Sequence, residues 1–377
     1  MTRAERSDAI VIGAGIVGAA CARALARDGL KVLVLDAGFA GGGTTAAGMG
    51  HLVVMDDSPE QLALTALSVE LWRELSTLLP SSVEYDACGT IWVAEDEAQM
   101  AALREKQRVY GDHGIASDAL NARALGALEP NLRDGLAGGL LVPGDGVVYP
   151  PNAARWLLDQ ARAHGTVLRE GCSVDEIFAG AVRCGDDVLE ADVIVNAAGA
   201  AAAQLTPALP IVPRKGHLAI TDRHPGFIRH QLVEVGYLTS AHVMTNDSVA
   251  FNVQPRMTMQ VLIGSSRELA GWDGTTNRRV LREMLDRALR FMPALAGLSI
   301  VRTWTGFRPA TLDNLPLIGR WDATAGLWIA AGHEGLGVTT SLGTARLLAD
   351  LVAGRAPAID ATPYSPMRFA RAPAVAS

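Results

Sequence analysis

The sequence has few of the features that mark membrane proteins and nucleic-acid-binding proteins. No apolar run reaches the roughly 18 residues that a membrane-spanning helix needs, so we expect no membrane span. The formal net charge of -7 gives no overall positive field for a phosphate backbone, which disfavours nucleic acid as a partner. Residues 1–7 lack the pattern of a signal peptide. These features predict a soluble, cytoplasmic protein.

Cysteine is also scarce. The chain has 4 cysteines, Cys21, Cys88, Cys172 and Cys184, and none of them forms a C-x-x-C pair. This spacing does not match a zinc or iron–sulfur site, so we predict no metal. It fits reduced structural thiols in a cytosolic protein better than a disulfide framework. We therefore expect all four thiols to be reduced.

The bulk composition is that of a large folded protein. The chain has 377 residues, of which 49% are hydrophobic and 19% are charged. A chain of this length can bury a large core, and it predicts either two domains or one large α/β unit.

The most informative motif lies close to the N-terminus, where small apolar residues run into glycines at G-x-G-x-x-G spacing. Gly13 permits a tight turn, Gly15 lets backbone approach a phosphate, and Gly18 lets a helix pack closely on a strand. Residues 19–27 are predicted to form that helix, whose first N–H groups favour an anion, and Ile16 and Val17 of the motif are further predicted cofactor-binding residues. The pattern is typical of a dinucleotide site. An ordinary glycine-rich turn between a strand and a helix is the alternative.

The next predicted strand ends at Asp36, where a carboxylate accepts a ribose hydroxyl in such sites. A run of small residues, 37–50, follows it. A flexible linker is the alternative, but a linker here would interrupt a βαβ unit, so we expect a second ligand-facing loop. Its predicted cofactor-binding residues are Ala37, Thr44, Thr45, Ala46, Gly48 and Met49.

The pattern of predicted secondary structure changes after Pro210. Before it, predicted strands at 166–168, 173–177 and 191–199 return the chain to the first sheet. After it, short alternating segments favour an antiparallel sheet, with a helix at 277–291 over one face. The predicted strands of that sheet are 214–221, 232–238, 249–254 and 259–265.

The predicted fold is α/β, with a Rossmann-like cofactor-binding domain and a second, antiparallel-sheet α+β domain for the substrate. The first domain is discontinuous and is predicted at 1–82, 146–210 and 300–377. The second is predicted at 83–145 and 211–299. A second strand–turn–helix unit closes the chain, with a strand at 326–331 and a helix at 338–352.

Several weak motifs become specific when they are taken in order. The glycine motif with Asp36, the loop 44–48, the stretch 195–199, Gly306-Phe307-Arg308-Pro309 and the turn 332–337 resemble the D-amino-acid oxidase and glycine oxidase superfamily of FAD enzymes. Within it, residues 48–57 and the Gly-His-Glu-Gly-Leu-Gly turn look most like the flavin subunit of bacterial hydroxyproline dehydrogenase. That subunit is itself similar to subunits of hydrogen cyanide synthase and opine oxidase.

This resemblance implies that the cofactor is FAD, held by a Rossmann-like domain of the glutathione-reductase type. The single dinucleotide motif agrees, because no second nicotinamide domain is evident. Glycine-bearing backbone at the start of the last helix would stabilise negative charge on the flavin ring. The further cofactor residues that the resemblance implies are Val174 near adenine, Ala198, Gly199, Gly332, Gly335, Leu336, Gly337, Val338 and Thr339.

The resemblance also implies four catalytic residues. Arg308 matches the position whose planar guanidinium binds the substrate carboxylate, and a salt-bridged surface arginine is the alternative. His333 and Glu334 would hydrogen-bond flavin or substrate, although Glu334 could equally be a helix-start charge without a catalytic role. His51 would lie over the flavin or bind it covalently, with a structural histidine as the alternative.

The expected reaction is oxidation of an amino or imino acid, resembling D-hydroxyproline or D-proline, to the imine. The hydride passes from Cα to flavin N5, and the electrons then pass to partner subunits of a heteromer. Two alternatives stay open. One is a self-sufficient oxidase that reduces oxygen to hydrogen peroxide, and the other is a non-catalytic flavin subunit of a larger complex.

Overall fold

The computed structural model describes residues 6–236 and 247–369. Its strands, in chain order, are β1 (Arg6–Ile12), β2 (Val32–Asp36), β3 (His51–Leu52), β4 (Thr90–Ala94), β5 (Asp118–Asn121), β6 (Gly138–Val142), β7 (Gly146–Val147), β8 (Val167–Glu170), β9 (Glu176–Phe178), β10 (Ala181–Cys184), β11 (Asp187–Asn196), β12 (Val212–Arg223), β13 (Gln231–Glu234), β14 (Ser248–Pro255), β15 (Gln260–Arg267), β16 (Ile300–Ala310), β17 (Leu317–Arg320) and β18 (Leu327–Ala331). Its α-helices are α1 (Ile16–Arg27), α2 (Gly43–Ala47), α3 (Pro59–Leu75), α4 (Glu97–Asp112), α5 (Ala122–Leu128), α6 (Pro150–Arg162), α7 (Ala202–Leu205), α8 (Arg278–Phe291) and α9 (Gly337–Val352).

The first sheet is built around β1 and has the order β17-β18-β11-β1-β2-β8, with β9 and β10 attached beside β11. The strands from β18 to β8 in this order are parallel to one another. Ala9 and Val11 face the core that holds α1, α6 and α9, whereas Ile10 and Ile12 face a second core on the other side. Burial of both faces explains why the last four residues of β1, from Ala9 to Ile12, are all apolar.

The second sheet has the order β16-β12-β15-β14-β13-β4-β6-β5 and is antiparallel except at the pair β13 and β4. Its alternation is clear in β14, because Phe251 and Val253 pack in the core with α8, and Asn252 and Gln254 point to the opposite face. The predicted α/β class and antiparallel second sheet are confirmed. Strand β16 pairs with β12 along this sheet, although its sequence range was predicted with the cofactor-binding segments.

Three expectations need correction. Cys172 and Cys184 form a disulfide, because the hairpin of β9 and β10 brings their Cα atoms to 6.3 Å, whereas Cys21 and Cys88 are free. The strand predicted at 173–177 begins only at Glu176, so the preceding residues form a loop. The strand predicted at 232–238 is Gln231–Glu234, and its last two predicted residues lie outside the described residues.

No helix within the described ranges has both the length and the apolar character that crossing a membrane would require.

Candidate active site

Three turns of the first sheet open at the same edge. They follow β1, β11 and β18, which are neighbouring parallel strands, so their carboxyl ends coincide. A cavity of about 520 Å³ lies there, against the second sheet. This volume lies within the roughly 300–1,000 Å³ typical of small-molecule sites. Its wall includes Gly13 and Asp36 near the N-terminus, Val174, and Glu334 from the turn after β18.

The glycine motif allows contacts that larger residues would block. A Cβ atom on Gly13, whose φ is +105°, would lie 2.5 Å from the carbonyl oxygen of Ala197. A Cβ atom on Gly18 would lie 1.9 Å from the carbonyl oxygen of Gly13. The motif therefore packs α1 tightly on β1 and leaves Gly13 and Gly15 on the cavity wall.

Polar side chains fix the shape of this loop. The Asp36 carboxylate accepts hydrogen bonds from the amide of Ala14 at 2.7 Å and from the amide of Gly38 at 2.8 Å. The hydroxyl of Thr45 accepts a hydrogen bond from the amide of Ile16 at 3.0 Å. Asp36 thus orders the turn around the cavity, and Thr45 satisfies an amide in the first turn of α1.

The loop around α2 joins the two sheets. Thr44 donates a hydrogen bond from its hydroxyl to the carbonyl oxygen of Phe307 at 2.7 Å. A Cβ atom on Gly306 would lie 2.3 Å from the Cβ atom of Ala47, so the backbones approach closely at this point. The cavity is therefore closed on this side by contacts between α2 and β16.

Glu334 lies among three arginines at the cavity wall. Its Oε1 accepts a hydrogen bond from Nε of Arg267 at 3.1 Å, and it lies 4.0 Å from Arg214 Nη1 and from Arg308 Nε. Burial alone would raise the pKa of Glu334, but the charges of Arg267, Arg308 and Arg214 outweigh it and lower the pKa to about 2. Glu334 is therefore ionised at neutral pH.

The backbone of Glu334 is also unusual. Its φ of +46° lies in the left-handed region, which is costly for a residue with a side chain. Its amide donates to the carbonyl oxygen of Pro309 at 2.8 Å, and its own carboxylate accepts from the amide of Gly335. These bonds direct the carboxylate toward the arginines.

Two histidines line the same cavity as neutral rings. Burial lowers the pKa of His333 to about 3, and Nε2 of this ring is hydrogen-bonded to the hydroxyl of Thr344 at 2.9 Å. Burial, with a smaller contribution from the charge of Arg308, lowers the pKa of His51 to about 4. Nε2 of His51 has no hydrogen-bond partner among the described residues.

Comparison with known proteins identifies the family. The family model described as FAD dependent oxidoreductase (DAO) matches residues 8–351. The hydrogen cyanide synthase subunit HcnC of Pseudomonas protegens is 30% identical, over 97% of this chain and 97% of that protein. The chain belongs to this FAD-dependent oxidoreductase family.

Solved structures of similar proteins support the same family assignment. The glycine oxidase from Geobacillus kaustophilus has a TM-score of 0.87 and 26% identity, over 97% of this chain and 99% of that one. The iminodiacetate oxidase IdaA from Chelativorans sp. BNC1 has a TM-score of 0.83 and 28% identity, over 95% of this chain and 98% of that one. The superfamily predicted from the motifs is confirmed, and the chain is an FAD-dependent oxidoreductase.

The cavity residues fit FAD. The glycine turn places Gly13, Gly15 and the start of α1 on the cavity wall, where backbone N–H groups can face a phosphate. Toward the second sheet, the wall carries buried polar atoms without a partner among the described residues, namely Nε2 of His51, Oδ1 of Asn252 and Oγ of Ser265. Such atoms are costly to bury unless a ligand or water satisfies them.

Most predicted site residues come together at this cavity. It is lined by the predicted residues Gly13, Gly15, Ile16, Val17, Asp36, Ala37, Thr44, Thr45, Gly48, Met49, His51, Val174, Ala198, Gly199, Arg308, His333, Glu334, Gly335, Gly337 and Val338. Leu336 lines a smaller neighbouring cavity.

The other four predicted residues are not on either wall. Gly18 faces the first turn of the motif, and the side chain of Ala46 is exposed. A Cβ atom on Gly332 would lie 2.6 Å from Thr311 Cγ2, so this position faces a neighbouring loop. The hydroxyl of Thr339 donates to the carbonyl oxygen of His51 at 2.8 Å and thus ties α9 to β3.

Sequence reasoning missed the polar residues that the second sheet supplies. Asn252 and Ser265 line the large cavity, and Arg267 lines the small one. The signal for Asn252 was present, because it is a polar residue between Phe251 and Val253 in a predicted strand. Arg267 gave no such signal, since its pairing with Glu334 depends on how the two sheets meet.

Proposed function

We propose that this enzyme oxidises the bond between Cα and nitrogen of a small amino or imino acid, with a D-hydroxyproline-like or D-proline-like substrate favoured. The observation that carries the proposal is the guanidinium of Arg308, which lies on the cavity wall beside the turn that leads into α9. When FAD is bound, it supplies the acceptor for the hydride that leaves Cα.

The chain would hold FAD in an extended form between its two glycine-bearing turns. Gly13, Gly15 and the start of α1 would face the pyrophosphate, and Val174 would face adenine. Gly335 and Gly337 also line the cavity, and a Cβ atom on either would meet no atom closer than 3.5 Å, so their backbone would face the flavin ring.

Arg308 is held in an orientation that suits a carboxylate clamp. Its Nη1 donates to the carbonyl oxygen of Ser266 at 2.8 Å, and its guanidinium crosses Gly216, where a Cβ atom would lie 2.2 Å from Nη1. Glu334, 4.0 Å from its Nε, adds a fixed negative charge. A substrate carboxylate would meet a positive group that is oriented before binding.

His51 is the second group that we assign to the substrate side. Its neutral ring offers Nε2 on the walls of both cavities. It would hydrogen-bond substrate or cofactor without adding charge. His333 is assigned a positioning role, because its ring already bonds Thr344 within α9.

We propose that electrons leave through partner subunits. The relative HcnC is by name a subunit of hydrogen cyanide synthase, which supports this route. A self-sufficient oxidase is the alternative, supported by the likeness to glycine oxidase. Peroxide released in air at the rate of substrate oxidation would favour the oxidase.

The test is anaerobic reduction of the protein-bound flavin by a substrate. Reduction is measured as the loss of the visible absorbance of the flavin. We expect cis-4-hydroxy-D-proline, D-proline, glycine or sarcosine to bleach the flavin, and bleaching by none of them would refute the proposal.

Arg308→Ala should lower kcat/KM roughly 10- to 100-fold, the range for a lost hydrogen bond to a charged group. Arg279→Ala, at an exposed arginine of α8, is the control and should change little.

A further inference from the structure

A smaller cavity of about 50 Å³ adjoins the large one. His51, Asn252, Glu334 and Gly335 line both cavities, so the two spaces meet at these residues. The small cavity has room for a few heavy atoms. It lies on the side of the proposed substrate clamp.

Its wall is rich in polar atoms for which the described part of the chain offers no partner. Five of them have no hydrogen-bond partner among the described residues, although each atom is buried. They are Gln61 Oε1, Trp92 Nε1, Gln231 Oε1, Asn252 Oδ1 and His51 Nε2. Native proteins contain few such atoms, so five around one cavity indicate that a bound ligand or water completes their hydrogen bonds.

The register of the second sheet explains why these side chains meet. Val233 of β13 is paired with Trp92 of β4 on one side and with Asn252 of β14 on the other. Paired residues share a face of a sheet, and Gln231, two positions before Val233, shares it too. The opposite face carries Phe251 and its apolar neighbours. The face turned toward the cavity is therefore the one that carries Gln231, Trp92 and Asn252.

The chemistry of the wall selects a type of group. The indole N–H of Trp92 can only donate, whereas the unpaired amide oxygens on the wall can only accept. The charged residues on the wall are of both signs, since Arg267 is paired with Glu334 and Asp57 adds a second carboxylate. A hydroxyl, which donates and accepts and carries no charge, matches this set better than an anion.

We propose that the small cavity is a side-chain subsite that receives a neutral hydrogen-bonding group, above all a hydroxyl, on the amino or imino acid. This inference rests on the proposed function. Gln61, Trp92 and Gln231 determine the specificity of the subsite. The clamp at Arg308 holds the carboxylate, and the subsite distinguishes substrates by the group at the other end.

The test compares matched substrates that differ by one hydroxyl. The holoenzyme is reduced anaerobically with cis-4-hydroxy-D-proline and D-proline, and with D-serine and D-alanine, and kcat/KM is measured for each. We expect the hydroxylated member of at least one pair to be preferred about tenfold or more. Ratios near one in both pairs, with flavin still bleached, would overturn the subsite and leave the proposed function standing.

Two variants locate the effect. Gln231→Met and Trp92→Phe keep most of the side-chain volume but remove the polar atoms, and each should lower the hydroxyl preference at least about tenfold. Gln107→Met removes the amide of a partly buried glutamine on α4 that bonds Ser117 outside both cavities, and it should keep the preference.

Flavin content and far-ultraviolet circular dichroism show which variants are folded. An unchanged preference in folded Gln231→Met and Trp92→Phe would overturn the subsite. If a variant does not fold, the kcat/KM ratios of the wild-type enzyme for the two substrate pairs still test the subsite. Bleaching by glycine or sarcosine but by none of these four compounds would overturn the subsite and leave the proposed function standing, and bleaching by none of the six would remove both.

Discussion

Among individual residues, Glu334 has the densest set of charged neighbours in the site. Its carboxylate is shared by three arginines, of which Arg214 and Arg267 have side chains only 1% and 4% exposed. Buried cations of this kind depend on a nearby anion, because the protein interior screens their charge poorly. Glu334 therefore stabilises the fold as well as shaping the site.

Replacing this carboxylate should be costly. We expect Glu334→Gln to lower the free energy of unfolding by about 3–5 kcal/mol, because buried guanidinium charges lose their counter-charge. Urea denaturation measures the change. The control is Glu283→Gln, which removes an exposed partner of Arg279 and should change stability by no more than about 0.5 kcal/mol. Equal stability of Glu334→Gln and wild type would contradict the assigned electrostatics.

Asp145 gives a prediction about pH. Burial raises the pKa of this carboxyl from 3.8 to about 7, although the nearby hydroxyl of Thr90, a hydrogen bond from the amide of Val54 and the charge of Lys106 oppose the shift. Between these two values the folded chain holds a proton that the unfolded chain releases. The contribution of Asp145 to the free energy of unfolding therefore falls as pH rises from about 4 to 7.

Asp145→Asn should remove this dependence, because an amide does not titrate in this range. We expect the variant to gain stability relative to wild type between pH 5 and pH 8, by at most about 3 kcal/mol. Urea denaturation at the two pH values measures the difference. Parallel stability profiles for wild type and Asp145→Asn would show that Asp145 is ionised throughout.

For individual residues, the sequence analysis selected Arg308, Glu334 and His51 as site residues, because each lies in a motif with a recognisable pattern. The structure places all three on the wall of one cavity. It did not find Arg267 or Gln231, since their contacts depend on strand register and on the junction of the two sheets. Nor did it show that His333 bonds Thr344. Only the packing of the turn before α9 determines that contact.

Among the elements around the first sheet, α1 makes an especially close contact, because it packs against the glycine turn that follows β1. Gly18→Ala should be destabilising by about 1–3 kcal/mol and should lower flavin content, because its Cβ would lie 1.9 Å from the carbonyl oxygen of Gly13. Gly111→Ala in α4 is the control, since a Cβ there meets nothing within 4 Å. The control should gain about 0.5–1 kcal/mol from helix propensity.

Thermal denaturation measures the change in stability, and the ratio of flavin to protein absorbance measures the flavin content. If Gly18→Ala matched wild type in both, the close approach of α1 to the glycine turn would be wrong. A Gly111→Ala variant that lost flavin would show that the measurement does not isolate this contact.

The elements that could be predicted are those with a strong local pattern. Strands β1 and β2 follow from continuous apolar runs, and β12 to β15 follow from alternation. The residues around Val174 look like a strand but form a loop, because local apolarity does not reveal where pairing ends. The Cys172–Cys184 bond was missed for a related reason, since hairpin register is not visible in the spacing of cysteines.

In the whole molecule, one arrangement joins the two ends of the chain. Strand β11 lies between β1 and β18, and all three are parallel. The turn of Gly13 and the turn of Gly335 therefore open at one edge of the sheet, although more than 300 residues separate them. Sequence motifs identified both turns, and the sheet order shows why they share a cavity.

The most direct test is a crystal structure of the protein with FAD bound. We expect one extended FAD, with its pyrophosphate against Gly13 and Gly15, its adenine beside Val174 and its flavin ring against Gly335 and Gly337. A flavin ring at the Val174 end, or an FAD molecule outside the cavity between the two sheets, would contradict the account.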